Sequence, residues 1–268
     1  MASDEKTLED EREQTDLIRN RGKEGGLFRA CMDKIRKSHH YGQLLRQAFI
    51  VMGLFTDKMC YAELLAQFYL TTKALEKIVH ERELPCVREV SSYYRFTELY
   101  EEDLKHLLGD QWKRRVHDEL ASKAAREYVA MIEKECGNGD EAAIVAGIII
   151  LWGPLIIGGG AALYPKVKHA YSYKATHVLR PIIGPGREKR RNAFIACVDA
   201  VASRDGDEVE AARFGRIVEC SGRFMEYNNK MMVAVKRRPS WLNYALAGAA
   251  ISVVAAMLVM QSRRVGYL

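Results

Sequence analysis

The chain has 268 residues, 48% hydrophobic and 28% charged, the balance of a globular protein with one large domain or two small ones. A net charge of +6 suits an anionic membrane surface, an acidic redox partner or an anionic ligand, and no nucleic-acid-binding motif accompanies it. Six scattered cysteines (Cys31, Cys60, Cys86, Cys136, Cys197 and Cys220) show no CxxC and no metal-ligand spacing. That argues against a disulfide framework or a zinc site and for buried thiols in a reducing compartment.

Residues 1–26 open with MASDEKTLEDEREQ and close on Gly25-Gly26. The segment is acidic and polar, and is expected to be disordered and to serve neither as a secretory signal nor as an Arg-rich transit peptide. From Leu27 the pattern turns helical. Tyr61, Leu64, Leu65, Phe68, Tyr69, Leu75 and Val79 recur at helical spacings and predict one amphipathic helix between Lys58 and His80, capped by Thr56 or Asp57. A second predicted helix begins at Ser91 or Arg95 and runs to Leu108, where Gly109 stops it. A third runs from Glu119 to about Glu135 and stops near Gly137-Asn138-Gly139.

The stretch AAIVAGIIILWGPLIIGGGAAL, Ala142 to Leu163, then carries no charge. Its 22 residues are long enough to cross a bilayer, so an additional membrane span is one reading. Gly147, Gly153, Pro154 and Gly158 to Gly160 suit a kinked, closely packed buried helix better than a lipid-facing one. Tyr164 to Gly186 reads as a connector with one short helix. A basic cluster, Arg187, Lys189, Arg190 and Arg191, opens the next helix, which runs to Val201. Cations in a first turn oppose the macrodipole and hint at an anion or a partner, although a plain solvated helix start is an equal reading. After a break at Ser203 to Asp207, helix continues to about Lys236. His80, His106, His117, His169 and His177 match no ligand spacing and read as surface residues. Almost nothing looks like a strand, so the expected fold class is all-α.

Trp241 to Met260, WLNYALAGAAISVVAAMLVM, is twenty residues without a charge, between Lys236-Arg237-Arg238 and Arg263-Arg264. At about 1.5 Å per residue it matches a bilayer core of roughly 30 Å, with Trp241 and Tyr244 placed for the interface. The expectation is a single-pass tail anchor, with the bulk of the protein facing the cytosol from the endoplasmic reticulum or the mitochondrial outer membrane. The expected division is a disordered segment over 1–26, a helical domain over 27–236 and a transmembrane tail anchor over 241–260.

Several strings, in collinear order, resemble the heme oxygenase family. LFRACMDKIRKSHH leads to FYLTTKALE, Phe68 to Glu76, where the family has an axial histidine followed by LYxxYxALE. Matched without a gap through Tyr69 and Ala74-Leu75-Glu76, the family's axial histidine falls on His39 and not His40, and Arg36 falls on a basic position. Asp103-Leu104 with Gly109-Asp110-Gln111-Trp112 resembles the family's DL…GxxW at the same spacing. The apolar stretch then stands where the family has its distal heme helix, HAYxRYLGDLSGGQ. The resemblance covers roughly Leu27 to Lys236 and implies a heme-oxygenase-like multi-helix bundle that can bind heme. It implies His39 as ligand to the heme iron, Arg36, Lys189 and Arg190 as candidates for heme propionates, and Gly158 and Gly159 as the backbone approaching the porphyrin.

The distal side departs from the family. With one gap on the Gly-Gly pair, the family's carboxylate becomes Leu155, and its Arg and Tyr positions become Leu151 and approximately Ile149 and Trp152. The family's carboxylate organises a water network for proton delivery, a general-acid role that leucine cannot fill. The reading is therefore a membrane-anchored, heme-oxygenase-like protein that has lost catalysis and binds heme or a partner, with a redox or scaffold protein as the expected kind of partner. One alternative is an active heme oxygenase, cleaving heme to biliverdin, iron and carbon monoxide with reductase electrons. The other is a two-span membrane protein in which 142–163 also crosses the bilayer.

Overall fold

Asp57 fixes the first corner of the chain. Its carboxylate accepts the amides of Met59 and Cys60 at 3.1 and 3.0 Å, so Asp57 is the N-cap of helix α2, Lys58–Arg82. The helix before it, α1, Leu27–Val51, turns away at Gly53, whose φ of 75° a larger residue would adopt only under strain. The computed structural model describes residues 26–82, 95–157, 161, 163–201 and 207–239. Among these, the remaining α-helices are α3 (Phe96–Leu108), α4 (Trp112–Arg115), α5 (Lys123–Gly137), α6 (Glu141–Leu151) and α7 (Gly153–Ile157), then α8 (Tyr164–Tyr171), α9 (Arg180–Ile183), α10 (Arg187–Val201) and α11 (Asp207–Val233). A π turn covers Val116–Leu120 and a 3-10 turn covers His177–Leu179. No strand occurs among the described residues, as the all-α expectation required.

Two helices organise the core. α2 packs against α3, α5 and α6, and α11 packs against α1, α6 and α5. Tyr69, Leu75 and Val79 of α2, Tyr128 and Ile132 of α5, and Ile217 and Phe224 of α11 are all buried. Each large apolar side chain taken out of water in this way stabilises the fold by about 1.5–3 kcal/mol. Fully buried Gln67 closes the join between α2 and α5: its amide donates to the carbonyls of Glu63 (3.1 Å) and Leu120 (2.6 Å) and accepts from the Ser122 amide at 3.1 Å. The Leu120 carbonyl and the Ser122 amide are backbone groups a continuous helix would have paired internally. The Ser122 hydroxyl then accepts the Ala125 amide at 3.0 Å. Helix α5 consequently starts at Lys123 and not at the predicted Glu119.

The charge-free stretch is divided. Asp140 caps α6 by accepting the Ala143 amide at 3.2 Å, and every residue from Ala142 to Leu151 is buried. Pro154 has no N–H to continue the helix, and the chain restarts as α7 with the Leu155 and Ile156 amides both on the Trp152 carbonyl. The predicted kink is thus a full break. An eleven-residue α6 spans only about 16 Å, roughly half a bilayer core. Its surface is covered by helices of the same chain, and no helix among the described residues is long and apolar enough to cross a membrane. Over the described residues 142–157, these observations favour a core element over the additional-span reading of 142–163. The connector also differs: α8, the 3-10 turn and α9 stand where one short helix was expected. Residues 1–25 and the 241–260 stretch lie outside the described residues.

Candidate functional site

Helix α1 shows two distinct sides. Leu27, Cys31, Ile35, Gly42 and Phe49 are buried. They form the stripe toward α11, where Gly42 lies against Asn229 and Met225 and the Asn229 amide donates to the Ser38 carbonyl at 2.8 Å. Phe28, Met32, His39, Arg46 and Ile50 follow one another at spacings of four and seven along the neighbouring flank, and all are half-buried. No hydrogen bond to a described residue holds the His39 ring. Burial first, then the charges of Arg46 and His40, lower its pKa below the usual histidine value. His39 therefore offers a neutral imidazole, the form that ligates a metal.

Helix α10 joins this flank to the distal segment. The fully buried Phe194 receives Phe28 edge-on, with ring centroids 6.3 Å apart, and the edge of its ring lies 3.8 Å from where a Cβ on Gly153 would stand. Both α1 and α7 pack on α10. On α6 and α7 the side chains from Ala142 to Ile157 offer one polar group, the indole N–H of Trp152. That ring is fully buried, tilted against Phe96 at 5.8 Å, and its N–H has no hydrogen-bond partner among the described residues. Leu151 is 4% and Leu155 9% exposed. Neither can hold or release a proton.

The other sequence-derived residues are scattered around this flank. Arg36 is exposed and pairs with Asp33 one turn earlier. Lys189 is exposed on the first turn of α10. Arg190 is engaged in the fold itself: its guanidinium donates to the carbonyls of Pro185 (2.6 Å), Pro181 (2.8 Å) and Gly184 (3.3 Å) and so closes the corner between α9 and α10. Its neighbour Arg187 donates to the Ile157 carbonyl at 3.2 Å, which ties the same corner to the end of α7. Cations in the first turn of α10 thus serve orphan carbonyls of the preceding elements. Gly158 and Gly159 lie outside the described residues.

A polar constellation that the sequence reading passed over sits on α3. Asp103, fully buried, accepts the backbone amides of His177 (2.9 Å) and Val178 (3.1 Å) and faces His177 Nδ1 at 2.7 Å. Burial pushes its carboxyl above the usual range, against the downward pull of those bonds. His177 is therefore an anchored residue, not the free surface histidine expected, and its Nε2 lies 3.3 Å from Glu102. The DL…GxxW string held half of this pair, but its partner lies 74 residues away with no local signal. Among the described residues no group of three His, Cys, Asp or Glu side chains could hold a metal ion. Burial raises the thiols of Cys31 to about 11 and of Cys60 and Cys136 to about 12, so they stay protonated and are poor ligands.

A model of the heme oxygenase family matches residues 26–213. No curated protein matches the chain in sequence. Among solved structures, the fold is similar to that of heme oxygenase 2 from Chlamydomonas reinhardtii without heme, with a TM-score of 0.65 and 20% identity over 79% of this chain and 98% of that one. It is also similar to heme oxygenase-2 from Synechocystis sp. PCC 6803 in complex with heme and NO (TM-score 0.64, 18% identity, 79% of this chain and 85% of that one). Heme oxygenase-1 from the same cyanobacterium, in complex with heme, gives a TM-score of 0.61 at 18% identity over 88% and 99% of the two chains. At such identities the likeness is one of fold.

Proposed function

Because this chain belongs to the heme oxygenase family, we propose that its helical domain holds heme through His39 on a cytosol-facing membrane and has lost heme cleavage. The observation that carries the first half is the state of His39: a half-buried, neutral imidazole without a hydrogen bond to any described residue, on the α1 flank that α10 links to α7. Such a donor fits heme iron. Phe28, Met32 and Ile50 give that flank the apolar surface a porphyrin needs, and Arg36 and Lys189 are exposed cations free of the corner contacts that engage Arg190. Heme, when bound, supplies an iron centre whose reactivity depends on its axial ligand and on the polarity of the facing pocket.

The second half rests on α6 and α7. Proton delivery needs a titratable or water-organising group within hydrogen-bond reach. Leu155 stands at the family's carboxylate position, and Leu151, Ile149 and Trp152 stand at or near its other polar positions. These side chains exclude water and hold no exchangeable proton except the indole N–H. The same reading assigns 1–26 to a disordered lead, 27–236 to the heme domain and 241–260 to a tail anchor in the endoplasmic reticulum or mitochondrial outer membrane. A bound but uncleaved heme suits a sensing or scaffold role with a protein partner at that membrane.

Family membership itself favours the competing reading, active cleavage of heme to biliverdin, iron and carbon monoxide. The two part in one experiment on the full chain reconstituted in nanodiscs. Hemin should give a Soret band that His39→Ala abolishes and His40→Ala leaves in place. Adding reductase electrons and oxygen should leave the band without biliverdin. A band indifferent to His39→Ala overturns the ligand assignment, and clean biliverdin formation overturns the loss of catalysis.

A further inference from the structure

The first two turns of α2 mark one pole of the bundle, and several independent contacts converge on them. Glu63, only 5% exposed, accepts the amides of Lys236 at 3.0 Å and Arg237 at 2.9 Å. The chain therefore leaves the bundle beside these turns, four residues before the uncharged run that begins at Trp241. Tyr61 stacks on Tyr171, with centroids 5.4 Å apart, and donates to the Ala175 carbonyl at 3.3 Å, which brings the segment after α8 to the same place. Arg115 reaches the sulfur of Met59 at 3.8 Å. Helices α1 and α11 run parallel, because Lys34 pairs with Glu219 while Gly42 lies against Met225 and Asn229. Their C-terminal ends, Val51 and Val233, consequently emerge at this pole, 83% and 54% exposed.

A groove of about 690 Å³ opens here between α3 and the 173–180 segment. It sets three permanent cations, Lys105, Lys174 and Arg180, over two carboxylates, Glu102 and Asp110. Exposed Lys58 acts on His106 from beside it, and Lys236 and Arg238 add exposed positive charge where the chain leaves the bundle at Glu63. The pKa of His106, in the same groove, is lowered first by burial and then by Lys174 and Lys58, against a smaller upward pull from Asp103. At the rim, Ser172 and Tyr173 both hold left-handed backbone, with φ of 48° and 70°. The Thr176 hydroxyl donates to the Tyr173 carbonyl at 2.9 Å and fixes that turn. Tyr173 is thereby turned outward, 52% exposed, with the Lys168 ammonium 4.5 Å from its ring. Strained backbone of this kind persists where the surrounding structure holds it, and it concentrates at sites of binding.

We propose that this pole is a docking surface for an anionic lipid bilayer, with Val51, Tyr173 and Val233 meeting the interface and the groove receiving a lipid phosphate. The combination is the one such an interface selects: an amphipathic aromatic at headgroup level, scattered aliphatic contacts, and cations attracted to negative headgroups. It rests on the tail-anchor reading, since the exit at Lys236 is what holds this pole, and no other, against the membrane. The occupant is the bilayer and not a protein: the chain itself continues from this pole into an uncharged run long enough to span one.

The test uses the full chain in nanodiscs of phosphatidylcholine alone or mixed with phosphatidylserine, read by hydrogen exchange. Phosphatidylserine should slow exchange in 171–180 and 49–55 by about tenfold relative to phosphatidylcholine alone. The double variant Lys105→Glu/Lys174→Glu, still anchored, should lose that protection. Equal exchange in the two nanodiscs, or protection unchanged in the variant, overturns the docking surface while leaving the anchor intact. Protection reproduced by inorganic phosphate in the phosphatidylcholine nanodisc overturns it in favour of a small-anion site. A chain that fails to float with either nanodisc removes the anchor reading, and the docking surface with it.

Discussion

Gly147 of α6 lies so close to Phe224 of α11 that a Cβ on it would stand 2.8 Å from the phenyl Cε1, with Leu75 Cδ1 only 3.1 Å away on the other side. Phe224 and Leu75 are fully buried, so neither can give way toward solvent. An alanine in mid-helix would ordinarily gain up to about 1 kcal/mol over glycine. Here overpacking should exceed that gain. Gly147→Ala is expected to destabilise the domain by about 1–2 kcal/mol, lowering the urea midpoint without changing the slope. A variant as stable as the parent would mean that α6 and α11 do not approach this closely.

Asp140 links the start of α6 to α11. Besides capping Ala143, it receives Arg216 Nη2 at 2.6 Å and Nε at 3.2 Å. Burial pushes its carboxyl up, but Arg216 and the amide pull it further down, and the net shift is below the usual aspartate value. A depressed carboxyl contributes stability that is present above its unfolded pKa and is lost as the pH falls through the folded one. Asp140→Asn keeps the cap and removes the charge. The variant should be less stable by about 0.5–1 kcal/mol at neutral pH, a modest figure because Arg216 is half exposed. The two unfolding curves should then converge below about pH 4. A gap that persists unchanged in acid would assign the loss to packing and not to charge.

The residues that were legible in sequence are those whose signal is local. Asp57 before an apolar-periodic run and Gly109 after one marked real helix ends, and Pro154 marked a real break. The start of α5 was misplaced because Gln67, more than fifty residues earlier, captures the backbone groups that would have extended the helix. His177 reads as a surface residue in sequence for the same reason: its partner is a buried carboxylate on α3, 74 residues away and not announced by spacing. The partners of Arg190 are close in sequence, but they are backbone carbonyls, which carry no residue-type signal. The apolar run at 142–163 was ambiguous because periodicity cannot tell a helix buried all round from one in lipid. Only the neighbours α2, α5 and α11 decide it.

Glu63 should control how firmly the end of the domain is held. Its two oxygens take the Lys236 and Arg237 amides, and glutamine offers one acceptor in place of two. Leaving one amide without its acceptor costs about 1–3 kcal/mol locally. Glu63→Gln is therefore expected to speed tryptic cleavage after Lys236 and Arg237 by about tenfold or more while the helix content stays constant. Cleavage at the parent rate would show that the segment is held by other contacts.

The pH dependence of ligation follows from the setting of His39. Its pKa is lowered first by burial, then by Arg46, then by His40. A histidine with a depressed folded pKa loses stability as the pH falls, because protonation favours the state in which the ring is solvated. Binding of iron requires the neutral ring and follows the same sign. The Soret band proposed for the heme complex should thus persist below pH 6.5, where an ordinary histidine is already half protonated, and fade only at lower pH. Arg46→Gln removes the larger of the two charge effects, so His39 should move back toward the ordinary value. The pH midpoint of heme loss should then rise by a fraction of a unit, with a smaller rise for His40→Ala. Burial is the leading cause and survives both substitutions, so neither midpoint should reach that of a free histidine. A midpoint unmoved by Arg46→Gln would mean that the ring titrating with heme loss is not His39.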